Sequence, residues 1–147
     1  MRFAWRMLAG LVAVSAGVAV APRIGSVEEK SVEEKKGDRY FEMRTYIAAP
    51  GKLDQLHARF RDHTNKLFVK HGMTLIGYWT PSEGEAAKNT LIYSLAYPGK
   101  EAREKSWKGF VEDPEWNKVK TASEVNGKLV DKVESVFLKP TDYSPIR

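Results

Sequence analysis

The stretch MTLIGYWTPSEGEAAKNTLIYSLAY, residues 73–97, contains two runs of β-forming residues around a segment of loop composition. It predicts two antiparallel strands with a long connection. Strict alternation places Leu75 and Trp79 on one face of the first strand, and Ile76 and Tyr78 on the other. The second strand is also apolar on both faces. Because one layer of helices covers only one face of a sheet, the other face needs a different cover.

The segments on either side of this hairpin complete a β-α-β-β-α-β order. Residues 40–48 and 130–138 alternate as strands. Helical spacing and capping signals, among them Asp113-Pro114-Glu115, predict helices between them. The predicted helices cover residues 53–71, 100–111 and 114–126. The predicted fold class is α+β, a ferredoxin-like antiparallel four-stranded sheet with helices on one face.

The uncovered sheet face predicts a homodimer. A large exposed apolar patch on a folded domain marks an interface. Two copies that pack these faces against each other would bury both patches. The sequence thus predicts a face-to-face pair of sheets, and the cavity between the layers of such a dimer could hold a small apolar ligand.

The first 38 residues predict an export signal followed by a tether. Residues 1–21 have two arginines near the start and then an apolar run that ends in small residues, the pattern of a signal peptide. An uncleaved N-terminal anchor is the alternative. Residues 22–38 contain Ser-Val-Glu-Glu-Lys twice in tandem and too few apolar side chains to fold, so they predict a disordered charged tether. The expected location is periplasmic or secreted, with membrane contact only through an uncleaved segment.

Composition excludes several classes of function. The net charge of +5 is spread along 147 residues without a block of like charges, and no aromatic RNA-binding motif is present, so no nucleic-acid partner is predicted. The chain has no cysteine and only three histidines, which makes a metal centre improbable. It also lacks the common nucleophile, phosphate-loop and dinucleotide motifs. No cofactor is predicted, and a classical enzyme is not favoured.

Five sequence blocks, in order along residues 41–145, resemble the NIPSNAP family. The resemblance covers the predicted domain, residues 39–147, and leaves out the signal and the tether. It implies a dimeric α+β barrel, in which two ferredoxin-like sheets close around each other. The blocks are FEMRTYIAAPGKLDQL, FRDHTNKLFVKHGM, IGYWT, DPEW and VESVFLKPTDYSP.

Two functions remain open at this point. The first is a dimeric binding or scaffolding module with a cavity for a small apolar ligand. The second is a cofactor-independent monooxygenase that acts on a flat aromatic substrate, since distant relatives with the same barrel include such enzymes. That second function rests on an analogy between folds.

A few side chains are the candidates for a site. His63 falls on the apolar stripe of the first helix, so its ring is expected to point toward the sheet, where it could act as an acid or base. A buried structural histidine is the alternative. The predicted ligand-pocket residues share a polar or aromatic character on the strands and the second helix. Packing within the core is the alternative for the aromatic residues, and pairing across the dimer is the alternative for Glu42 and Arg44. They are Glu42, Arg44, Tyr46, Tyr78, Trp79 and Trp107.

Overall fold

The computed structural model describes residues 39–147. The predictions of a signal peptide or anchor at 1–21 and of a charged tether at 22–38 lie outside the described residues. Within 39–147, no helix is both long enough and apolar enough to cross a membrane.

Four antiparallel strands form one sheet in the order β2-β3-β1-β4, which confirms the predicted topology. β1 and β3 lie in the centre, and β2 and β4 are the edge strands. Their alternating β-branched and aromatic side chains favour extended backbone. The strands are β1 Tyr40–Ala48, β2 Thr74–Trp79, β3 Thr90–Tyr97 and β4 Val130–Leu138.

Two helical connections join these strands and lie on one face of the sheet. The first helix comprises α1 (Leu53–Arg59), a π-helical segment (Phe60–Thr64) and α2 (Asn65–Lys70). The second connection comprises α3 (Lys100–Glu112) and α4 (Pro114–Ser123). A short 3-10 helix lies in the β2–β3 connection, and α4 ends earlier than predicted.

The π-helical segment changes which side chains of the first helix face the core. Its wide turn closes with a bond from the Asn65 amide to the Phe60 carbonyl, while Thr64 Oγ1 donates to the Arg59 carbonyl at 3.2 Å. A π turn inserts one extra residue and so shifts the helical phase. Thr64 is consequently buried and His63 is exposed. The expectation that the His63 ring points toward the sheet is wrong.

A β-bulge corrects the predicted faces of β2. Leu75 pairs with Leu95 but Gly77 pairs with Ser94, so β2 holds one extra residue at this point. The extra residue puts Tyr78 on the same face as Leu75, and Trp79 on the opposite face. At Gly77 a Cβ atom would lie 2.6 Å from the Trp79 ring, so the indole lies directly over the glycine.

The hydrophobic core lies between the helices and one face of the sheet. Aromatic rings dominate it: Phe68 contacts both Tyr93 and Phe110, with ring centroids 5.9 and 4.8 Å apart. Contacts of this kind add to the burial of the rings. The buried members are Ala48, Leu56, Phe60, Leu67, Phe68, Met73, Leu91, Tyr93, Leu95, Tyr97, Phe110 and Leu129.

Asp113 links α4 to the end of the first helix. Its Oδ1 accepts a hydrogen bond from the Glu115 amide at 2.8 Å, which confirms it as the N-cap of α4. Its Oδ2 lies 2.8 Å from Lys70 Nζ and 2.7 Å from His71 Nε2, at the end of the first helix. Bonds from Lys70, His71 and the Glu115 amide hold the pKa of the Asp113 carboxyl well below its ordinary value of 3.8.

Acid should therefore destabilise the domain partly through Asp113. A pKa that folding lowers contributes stability above the unfolded value of 3.8, and this contribution is lost as the pH falls through the folded-state pKa. Urea unfolding at pH 6 and pH 3 should show a smaller pH effect in Asp113→Asn than in the original protein. Asn keeps the helix cap but carries no charge.

The matched control is Asp54→Asn, which removes an exposed carboxylate from the first turn of α1. This variant should keep the pH effect of the original protein. An Asp113→Asn variant that loses as much stability at pH 3 as the original protein would contradict the role assigned to the carboxylate.

Candidate functional site

A buried carboxylate lies at the centre of the polar groups on the helix-facing side of the sheet. Glu42, on β1, is fully buried. Arg103 from α3 binds it in a bidentate manner, with Nε and NH2 each 2.9 Å from a carboxylate oxygen. Arg44 NH1 lies 2.6 Å from Oε1. The sequence-predicted Glu42 and Arg44 thus pair within one chain, because two charges on a covered sheet face must be compensated.

Two neutral donors complete the shell around Glu42. Trp107 Nε1 lies 2.9 Å from Glu42 Oε2 and 2.9 Å from the Tyr97 hydroxyl. Tyr97 OH in turn donates to Glu42 Oε2 at 3.3 Å. Both carboxylate oxygens are therefore hydrogen-bonded, as a buried charge requires.

The electrostatics of the cluster favour the charged form of Glu42. Burial by itself raises the pKa of a carboxyl group, but hydrogen bonds from Arg103 and Arg44 outweigh it and hold the pKa of Glu42 below its ordinary value. Burial, together with the nearby Glu42 charge, raises the pKa of Tyr97, which stays a neutral donor.

Arg44 is the least satisfied member of the cluster. Its guanidinium carbon lies 4.3 Å from the centroid of the Trp107 ring and 5.6 Å from that of Tyr46. These distances are typical of cation–π contacts. Its Nε is buried and has no hydrogen-bond partner within residues 39–147. Two guanidinium groups facing one carboxylate leave the cluster with one positive charge in excess.

The six predicted pocket residues do not form one pocket. Glu42, Arg44, Tyr46 and Trp107 come together beneath the helices. Tyr78 lies near them, stacked on Tyr93 with centroids 5.7 Å apart, and burial raises the pKa of its hydroxyl to about 12. Trp79 lies on the opposite face of the sheet.

Trp79 lines an apolar cleft on the face that the helices leave open, which we call the open face. The cleft has a volume of about 390 Å³. Its floor comes from residues of β1, β2 and β3, and its rim from the end of β4 and the C-terminal segment after it. Its apolar lining residues include Phe41, Met43, Ile76, Trp79, Leu138 and Ile146.

His63 lies in a separate cleft of about 670 Å³, between the first helix and α4. Polar residues line much of it, among them Asp62, Glu115 and Ser123. The oxygenase hypothesis pairs His63 with Trp79 or Trp107 as a pocket wall. Trp79 lines a different cleft from His63, and Trp107 binds Glu42. The catalytic role of His63 stays a prediction. Across residues 39–147, no three acidic or histidine side chains lie close enough together to hold a metal ion.

Arg103 and Tyr97 belong to the cluster although neither is among the site residues predicted from the sequence. Arg103 was not predicted because the charge-rich composition of α3 indicates a solvent-exposed helix face. Tyr97 was not predicted because its position in a strand is typical of a core residue. The sequence does contain one indication that Arg103 and Trp107 act together: they are four residues apart and so share a helix face. Their common target, Glu42, is 61 and 65 positions away and has no local signature.

The family model and similar solved structures both identify a NIPSNAP domain. The family model of NIPSNAP matches residues 41–145. No curated protein matches this chain.

Solved structures resemble the domain along most of their length. A NIPSNAP family protein from Agrobacterium tumefaciens has a TM-score of 0.65 at 25% identity, covering 74% of this chain and 99% of its own. A NIPSNAP domain protein from Burkholderia xenovorans has a TM-score of 0.61 at 26% identity, covering 72% and 98%. SnoaB, a cofactor-independent oxygenase from Streptomyces nogalater, has a TM-score of 0.50 at 11% identity, covering 74% and 98%. That last similarity concerns the fold alone.

Proposed function

The chain belongs to the NIPSNAP family, as its five sequence blocks predict, and we propose that it acts as an exported homodimeric binding module. Two copies meet through their open faces, and the apolar cleft on that face holds a small apolar ligand. One observation carries the proposal: within residues 39–147, the helices leave one apolar face of the sheet uncovered.

The open face has the properties of an interface. Trp79 on β2 is 52% exposed, and Val136 and Leu138 on β4 are 50% and 39% exposed; all three lie on the same side of the sheet. Exposed apolar side chains that cluster on one face favour association, since burying them releases water from apolar surface. The antiparallel sheet presents this surface as a broad platform, which suits an identical platform from a second copy.

The cleft supplies the ligand site. Its volume of about 390 Å³ falls within the range of small-molecule pockets. Met43 and Ile76 provide apolar walls, and the Trp79 indole adds a flat surface. A second copy on the open face would close this cleft against water, so binding and dimerisation support each other in the proposal.

The proposal that the protein is exported rests on the sequence of residues 1–21. Two arginines before an apolar run with small residues at its end are what signal peptidases and export machinery recognise. If the signal is cleaved, the dimer is free in the periplasm or outside the cell; if it is kept, the charged segment 22–38 links the dimer to a membrane.

Native mass spectrometry of the full chain, purified under mild conditions from an envelope fraction, tests the binding proposal. We expect a mass of two chains plus an additional small molecule. The variant Met43→Glu places a charge in the cleft wall, so it should lose that additional mass.

An exposed residue far from the cleft provides the control. Val125, which is 72% exposed, follows α4, and Val125→Glu should keep both the two-chain mass and the passenger. A two-chain mass without a passenger would refute the ligand and leave a scaffold. A single-chain mass would refute the homodimer.

A further inference from the structure

Strand β4 has a second exposed apolar surface, on the side of the sheet that carries the helices. Val133 and Phe137 are 44% and 50% exposed, and Ser135 between them is exposed as well. We call these three residues the β4 strip. They face the helix side because their partners on β1 are Tyr46, Arg44 and Glu42. The strip is therefore on the opposite side of the sheet from the cleft.

The charged cluster borders this strip. Arg103 Cζ lies 5.2 Å from the centroid of the Phe137 ring, and Ser135 is the cross-strand partner of Arg44. The side chains of Arg44 and Arg103 are 14% and 22% exposed, whereas the only carboxylate of the cluster, Glu42, is fully buried. The accessible part of the cluster is thus positive.

The cluster holds its guanidinium groups in place. Glu42 takes two hydrogen bonds from Arg103 and one from Arg44, and the Trp107 ring stacks against Arg44. Side chains that are ordered before a ligand arrives lose little entropy on binding. Arg44 also keeps one buried donor, Nε, for which residues 39–147 provide no acceptor.

Charge and shape together select the ligand class. One positive charge in excess is balanced by a monoanion, and guanidinium groups match the planar geometry of a carboxylate. From Val133 to Phe137 the strand spans about 13 Å, at about 3.3 Å per residue, which accommodates an alkyl chain or a pair of rings. Phe137 already stacks on Tyr40, at 5.4 Å between centroids, so its ring presents a fixed apolar surface.

We propose that the β4 strip, together with Arg44 and Arg103, binds an amphipathic carboxylate. Its apolar body lies on Val133 and Phe137, and its carboxylate faces the two guanidinium groups. This site does not depend on the homodimer or on the apolar ligand proposed above.

Calorimetric titration of the full chain with decanoate tests the proposal, with decanamide as the neutral analogue and both kept below the concentrations at which they aggregate. We expect decanamide to bind at least about tenfold more weakly, since it lacks the charge that the guanidinium groups recognise. Arg44→Met should weaken decanoate binding by a similar factor. Arg61→Met, which removes an exposed arginine of the first helix, should leave it unchanged.

A second variant tests the apolar half and does not touch the buried cluster. Val133→Ser should weaken decanoate binding about fivefold, since it removes apolar contact area. Val111→Ser, at a position of α3 that is 51% exposed, should have no effect. Equal binding of decanoate and decanamide, or no binding of either, overturns the proposal. A Val133→Ser variant that binds decanoate normally but no longer forms the two-chain species also overturns the proposal. In that case a second copy of the chain, and not the carboxylate, would cover the strip.

Discussion

Glu42→Gln is expected to lower the free energy of unfolding by about 3 kcal/mol, in the range seen when one partner of a buried ion pair is removed. The glutamine has the shape of the original side chain but cannot balance two guanidinium groups. One of its two terminal positions becomes an NH2 group, which faces donors from Arg44, Arg103 or Trp107. Urea unfolding at neutral pH measures the change.

The matched control applies the same substitution to an exposed ion pair. Glu104 lies 4.0 Å from Lys100 on α3, and both side chains are largely exposed. Glu104→Gln should change stability by no more than about 0.5 kcal/mol. If Glu42→Gln costs no more than Glu104→Gln, the carboxylate is not the centre of the cluster. Arg103→Met should cost less in the Glu42→Gln background than alone, because the two side chains interact.

Val136→Glu is expected to raise the dissociation constant of the proposed homodimer at least 100-fold, on the order of the several kcal/mol that an unpaired buried carboxylate costs. Val136 lies on the open face, opposite Met43 of β1. In a face-to-face pair of sheets the new charge would be enclosed between apolar surfaces. Sedimentation equilibrium over a range of concentrations measures the constant.

The same strand provides the control for this change. Val133 is 44% exposed and Val136 50%, but the two point to opposite sides of β4. Val133→Glu should therefore leave the association unchanged. Equal effects of the two substitutions, or none from either, would mean that the open face is not the interface.

Local signals in the sequence account for most of the fold. β1 and β4 occur at their predicted bounds because alternation over nine residues leaves little freedom in register. α4 begins at its predicted position because Asp113 and Pro114 supply a cap and a fixed φ angle. Information of this kind lies within a few residues of the feature that it determines.

Single-residue insertions explain the errors. The π turn at Phe60–Thr64 moves His63 to the surface, and the bulge before Gly77 exchanges the faces of Tyr78 and Trp79. In both cases a regular period, 3.6 for the helix and 2 for the strand, assigns every later side chain to a face. One extra residue is enough to shift the assignment.

Contacts between residues far apart in sequence explain why Arg103 was not predicted as a member of the cluster. Glu42 and Arg44 are two residues apart on one strand face, and the structure pairs them within one chain rather than across a dimer. Arg103 reaches the same carboxylate from 61 residues away, and its charged helix gives no indication of a buried target. The unusual feature of the cluster is its excess of one guanidinium group, which becomes visible only when the three segments are brought together.

The mass of the full chain in solution tests the central claim most directly. Multi-angle light scattering at micromolar concentration should give twice the chain mass of 16.6 kDa, less any cleaved signal. That result would agree with two open faces packed against each other. A mass of one chain, constant across the concentration range, would contradict the homodimer and leave the open face without its proposed cover.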